Sequence, residues 1–159
     1  MTSDLRTVID TDVVVSAVLL PRSVPRCAFD VAAAQGRILV SDATITELDD
    51  VLRRPKFDKY LSEKRRLEFL AALVRGAEAV KVVDDVTVCR DRKDNKFLEL
   101  ALSGKATHII TGDSDLLVLH PFRGIAIVNP QSFLAVVDTL DRKAEPSDEP
   151  DRNMPGELA

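Results

Sequence analysis

Asp10, Glu47, Asp94, Asp113 and Asp115 stand out in this 159-residue chain as acids placed where a reaction could use them. Asp10 closes the apolar run Thr7-Val8-Ile9, and Glu47 lies in the first turns of the helix expected after Val40. Asp94 opens a helix after the strand and loop containing Val86 to Arg92, while Asp113 and Asp115 follow the strand Thr107–Thr111 in the run T-G-D-S-D. Each has an ordinary explanation when taken singly. Asp94 can cap its helix, Asp113 and Asp115 can form the turn after Gly112, and Glu47 can be a solvated helix residue. Asp10 is harder to dismiss, because a carboxylate that ends a buried strand is desolvated. Four elements delivering acids to one edge favour a shared function.

Gathered carboxylates repel unless protons or cations relieve them. With no His or Cys nearby, the donors are hard oxygens, a set that suits Mg²⁺ or Mn²⁺ rather than zinc. Such an ion acidifies water and neutralises phosphate charge, so these acids point to hydrolysis of a phosphate ester without a histidine base. His108, in a strand, and His120, in a loop, read as structural.

The elements that must present these acids alternate along the chain. Strands are expected at Thr7–Ile9, Arg37–Val40, Ala79–Val83, Thr107–Thr111 and Ile125–Val128. Between them, helices are expected from a cap at Asp12 to Leu20, from Pro25 to Gln35, and after a cap at Ser41 or Asp42 as far as Pro55. Others follow around Leu67–Val74, from Asp94 to Leu102, and from Pro130 to about Leu140. Strands without polar alternation, joined by helical crossovers, predict a three-layer α/β/α sandwich around a parallel sheet of four to five strands. In such sheets the ligand crevice lies beyond the carboxyl ends of the strands, where the acids fall.

Composition sets the outer limits. Hydrophobic residues make up 45% and charged residues 30%, ordinary for a globular chain able to bury a core of its own. With six Phe, one Tyr and no Trp, that core is aliphatic. Cys27 and Cys89 lack a CxxC or His cluster, which argues against zinc, and both read as small buried thiols. The run Val13–Leu20 is far shorter than the roughly 20 residues of a membrane span. No basic leader precedes it, so a cytoplasmic location and no membrane partner are expected. The net charge of −4 counts at first against nucleic acid. Six acids and three bases fall after Leu140, however, where three prolines and few apolar residues predict a mobile tail, residues 141–159, behind a domain of residues 1–140. The remaining bases cluster as Arg53, Arg54, Lys56 and Lys59, then Lys64, Arg65 and Arg66, then Arg90, Arg92, Lys93 and Lys96. Any one cluster is ordinarily a solvated helix face. Three of them around an acidic site suit a phosphate-binding rim, in which Arg53, Arg54, Lys56, Arg92, Lys93 and Lys96 are the candidates.

Four stretches in order, V-I-D-T-D-V-V-V-S-A (Val8–Ala17), E-L-D-D-V-L-R-R-P-K-F (Glu47–Phe57), D-N-K-F-L-E-L-A (Asp94–Ala101) and I-I-T-G-D-S-D-L-L (Ile109–Leu117), make the chain resemble the PIN-domain family, named for the PilT N-terminus. The similarity is to its prokaryotic toxin-like branch and continues through Pro121–Pro130. The resemblance implies a Mg²⁺- or Mn²⁺-dependent ribonuclease acting on single-stranded RNA, often a toxin held by a small antitoxin and often a homodimer. It puts the metal-binding acids at Asp10, Glu47, Asp94 and Asp113, with Asp115 as helper. Asp10, Asp94 and Asp113 then hold the principal metal, and Glu47 acts through water or a second ion. Thr11, Asp12, Thr111 and Asn95 are the expected supporting residues. Asp12 departs from the family, which usually carries Asn there; an ionised aspartate cannot donate the hydrogen bond that an amide can.

Two rival readings fit some of the same residues. Asp10-Thr11-Asp12-Val13-Val14 matches the nucleophile motif of haloacid-dehalogenase-like phosphatases, in which Asp10 attacks phosphorus and Asp12 is the general acid. That reading leaves Glu47 and Asp94 without a role. The other is a PIN-like scaffold that binds RNA or protein without strong catalysis.

Overall fold

The computed structural model describes residues 5–144, with side chains described through residue 138. A five-stranded sheet, ordered β3-β2-β1-β4-β5, forms the middle layer. Its strands are β1 (Leu5–Ile9), β2 (Gly36–Val40), β3 (Glu78–Ala79), β4 (His108–Ile110) and β5 (Ala126–Val128). Every neighbouring pair is parallel. The strands lack polar alternation because both faces of the sheet are covered. Val8, Leu39, Ile109 and Ile127 point to one core, whereas Ile9, Ile38 and Ile110 point to the other. The period of two in each strand thus sorts its side chains between two apolar layers.

On one face lie α1 (Thr11–Leu19), α2 (Val24–Gln35), α3 (Asp42–Leu52), α4 (Glu63–Gly76) and α7 (Pro130–Ala144). The other face is covered by α5 (Asn95–Ser103) and the short α6 (Ser114–Leu117). Fully buried Leu52, Leu98, Leu100 and Leu116 belong to these layers, each contributing about 1.5–3 kcal/mol relative to exposure. Gly36 permits the entry to β2, since a Cβ there would meet the Leu5 carbonyl oxygen at 2.0 Å.

The strand order reverses between β1 and β4. β1 leads outward through β2 to β3, while β4 leads the other way to β5. The crevice at such a reversal is where open α/β sheets take ligands. Asp10 follows β1, and Gly112-Asp113 follow β4, so both acids emerge at that crevice.

Several local expectations change. Asp10, not Asp12, caps α1, accepting from the Val13 amide at 2.9 Å. α4 begins at Glu63 rather than near Leu67, because the Ser62 side chain caps it. The expected strand Ala79–Val83 shrinks to Glu78–Ala79. Beyond the bond from Val80 N to Val40 O the segment leaves β2. It is then held to α5 by side chains: Ser103 accepts from the Val83 and Asp84 amides, Glu99 from Val86 and Asn95 from Cys89. Cys89 is buried as expected, but Cys27 is exposed, and both are free thiols. α7 runs to Ala144, past the boundary expected at Leu140. The expected tail from residue 145 onward lies outside the described residues. Among the described residues, no helix is long and apolar enough to cross a membrane.

Candidate metal centre

Asp10 sits at the bottom of the crevice, 5% exposed. Its Oδ1 accepts from the Val13 amide, and its Oδ2 accepts from the Thr111 hydroxyl. The same hydroxyl accepts from the Asp113 amide at 3.0 Å, so Thr111, fully buried, ties the end of β1 to the loop after β4. Burial pushes the Asp10 carboxyl up to about 6 despite those two donors, and the charges of Asp12 and Asp113 push the same way. Thr11, beside Asp10, is buried, whereas Asp12 is exposed and reaches the site through its charge alone.

Asp94 arrives from the opposite layer. It stands at the start of α5 yet makes no capping hydrogen bond, so the ordinary explanation for an aspartate at that position is not the one in use here. Its Oδ2 is buried without a hydrogen-bond partner. Asp94, Asp113 and Asp115, all half-buried, offer carboxylate oxygens that lie within 4.8 Å of one another. Facing carboxylates without a proton make no bond to each other, whereas a shared proton creates one. Burial first, then that interaction with Asp113 and the charges of Asp113, Asp91 and Asp10, push Asp94 up to about 7. Asp91 was not among the expected site residues; its signal was the spacing D-R-K-D, which sets two acids one short turn apart. Asn95 is buried and accepts from the Cys89 amide at 2.9 Å, fastening the segment before α5 beside Asp94.

The acids expected to meet do so unequally. The close group is Asp94, Asp113 and Asp115, with Asp115 where the resemblance put Asp10. Asp10 lies near enough to influence Asp94 and to feel Asp113, but its own oxygens are engaged by Val13 and Thr111. Glu47 is not a member of that group. Its Oε1 is 2.5 Å from the Lys96 ammonium, which removes Lys96 from the freely available bases of the expected rim. Arg53 and Arg54 are exposed but bridged to Asp49 and Asp50 one turn back, and Lys56 lies over its neighbour Phe57. Arg92 and Lys93 are exposed next to Asp94. Arg66, counted in a basic cluster, is wholly buried and serves the fold: it donates to the carbonyls of Leu52, Arg54 and Leu61 and pairs with Asp58. His108 stacks edge-on to Phe133, and the His120 ring accepts from Ile127 N, so both are structural.

The donor set fits a hard divalent cation. It consists of oxygens only, its members crowd at a separation a cation can bridge, and one buried oxygen lacks any partner. A family model describing the PIN domain matches residues 6–115, from β1 through Asp115. This chain belongs to the PIN-domain family. PIN domains are in general nucleases, and the acidic cluster of this one fits that activity. The PIN domain here is 35% identical over 117 residues to the protein MJ1680 of Methanocaldococcus jannaschii, an alignment covering 72% of this chain and 75% of that one. Its fold is similar to that of VapBC2 from Rickettsia felis, solved bound to a DNA fragment from their promoter, with a TM-score of 0.54 at 11% identity, covering 79% and 98% of the two chains. PAE2754 of Pyrobaculum aerophilum gives 0.52 at 15% identity over 84% and 90%. FitAcB of Neisseria gonorrhoeae gives 0.51 at 15% identity over 79% and 98%.

Proposed function

We propose that this PIN domain is a Mg²⁺- or Mn²⁺-dependent endoribonuclease that hydrolyses phosphodiester bonds of single-stranded RNA in the cytoplasm. The observation that carries the proposal is the Asp94-Asp113-Asp115 group with its partnerless buried oxygen on Asp94. Asp94, Asp113 and Asp115 would hold the ion, with Asp10 charged close beside them. When bound, the ion supplies charge neutralisation at the phosphate and a more acidic water. Thr111 orients Asp10 and the Asp113 loop together. Asn95 holds the segment that carries Asp91 to Asp94, and the exposed Arg92 and Lys93 beside it can take backbone phosphates.

The phosphatase reading is disfavoured on two grounds. Both oxygens of Asp10 already accept hydrogen bonds in a 5%-exposed position, a poor setting for an attacking nucleophile. The haloacid-dehalogenase motif also leaves Glu47 and Asp94 unused. The four-motif resemblance supports a toxin role with a small antitoxin as partner and a homodimeric state.

The test is incubation of a mixed single-stranded RNA pool, with a DNA pool alongside, in Mg²⁺, Mn²⁺ or EDTA. Cleavage of RNA with either metal, lost in EDTA and in Asp94→Asn or Asp113→Asn, is the expected result. Each substitution should lower the rate at least about 100-fold, as loss of a group organising charge stabilisation does. Cleavage that persists in EDTA, or in folded Asp94→Asn, would refute the proposal.

A further inference from the structure

We infer that Lys96 is a built-in counter-ion for Glu47 and that it restricts this centre to a single divalent ion. The inference rests on the divalent-metal reading above and concerns how many ions the centre admits. Lys96 lies in the first turn of α5, two residues past Asp94, and its ammonium crosses to α3 to stand 2.5 Å from Glu47 Oε1. The ammonium also donates to the Lys93 carbonyl and lies 5.4 Å from the Phe97 ring centroid. Three features of its surroundings therefore hold it. With the Lys96 and Glu47 side chains 22% and 32% exposed, the pair is partly withdrawn from water. Its Coulomb attraction is accordingly less screened than that of an open surface bridge.

Hydrolytic centres with two ions set them about 3.5–4 Å apart and need carboxylates for both. Asp94, Asp113 and Asp115 make one close group. Glu47 is the further acid that the family pattern offers to a second ion, and its charge is already met by an ammonium. A divalent ion approaching Glu47 must expel Lys96 from all of its acceptors. Lys96 itself borders a cavity of about 280 Å³ lined also by Asp42, Lys81 and Glu99, so open space adjoins its side chain.

The test is Mn²⁺ binding to the full chain by titration calorimetry, with the bound ions counted independently by electron paramagnetic resonance. The wild type should bind one ion. Glu47→Gln, which keeps the side chain's size, should also bind one, with Kd within about twofold of wild type, whereas loss of a residue supporting the metal costs about 10–100-fold. Lys96→Met, which keeps the stem and removes the charge, should bind two, and Glu47→Gln/Lys96→Met should return to one. Two ions in the wild type, a tenfold or greater loss in Glu47→Gln, or one ion in folded Lys96→Met would each overturn the inference. If Lys96→Met does not fold, Lys96→Gln, which removes the charge and keeps a polar end, takes its place and should likewise bind two, one ion in the folded variant overturning the inference. A wild type that binds no Mn²⁺ at all would instead remove the metal reading on which the inference stands.

Discussion

The Thr111 hydroxyl donates to Asp10 and accepts from the Asp113 amide, so one buried side chain joins the ends of two strands at the crevice. Thr111→Val keeps the shape and deletes both bonds. A hydrogen bond to a charged group is worth about 1.5–3 kcal/mol, and urea unfolding at pH 8, where Asp10 is ionised, should show a loss of that size. Thr111→Ser should recover most of it. Because the hydroxyl lowers the Asp10 pKa, the valine variant should also titrate Asp10 above its present value of about 6, which carbon-detected NMR of the carboxyl would read. Asp94 offers a second test. Its folded pKa, about 7, lies above the ordinary 3.8, as does that of Asp10 at about 6. For carboxyls shifted upward, the folded state holds protons that the unfolded chain has released. Their stabilisation is complete below about pH 4 and is lost as pH rises through 6 and then 7. In EDTA the wild type should therefore lose Tm relative to Asp94→Asn between pH 5 and pH 8, by on the order of several °C. Mn²⁺ should recover the wild type at pH 8 and leave Asp94→Asn nearly unmoved. Parallel pH profiles for the two proteins would contradict the crowding of these acids.

At the level of elements, the joint between α3 and α4 depends on Arg66. Its guanidinium satisfies the carbonyls of Leu52, Arg54 and Leu61 where α3 ends and the chain turns through Pro55–Phe57. Arg66→Met should cost about 3–5 kcal/mol, because it strands buried acceptors as well as removing an ion pair. Neighbouring Arg65→Met, which is exposed, should change stability by less than about 0.5 kcal/mol. Nothing in the run Lys64-Arg65-Arg66 separates the two arginines, since the difference lies in which one faces the end of another helix. Other features were open to reading from local pattern. The apolar runs mark β1, β2, β4 and β5, and Ser41 or Asp42 marks the start of α3, where the structure shows Ser41 as the cap in a capping box with Thr44. β3 is shorter than its sequence suggests, because Val80, Val82 and Val83 look like strand residues, yet contacts from α5 draw that segment off the sheet. The cap of α1 lies two residues before the expected Asp12, since Asp10 both ends a strand and opens a helix and the spacing of D-T-D fits either assignment.

Across the whole molecule, the parallel three-layer architecture followed from the alternation of strands and helices, but the order β3-β2-β1-β4-β5 did not. That order sets Asp10 and Asp113 side by side, and the packing of α5 over the opposite face brings Asp94 to them. The pairing of Glu47 with Lys96 joins residues from two different helices, so no local spacing announces it. Sequence thus names the acids, while tertiary packing decides which of them stand free to share a cation. The most direct measurement is a crystal soaked in Mn²⁺ and recorded at the manganese absorption edge. An anomalous peak coordinated by Asp94, Asp113 and Asp115, with Lys96 still on Glu47, is the predicted result. Density for Mn²⁺ absent from those carboxylates at saturating metal and pH 8 would contradict it.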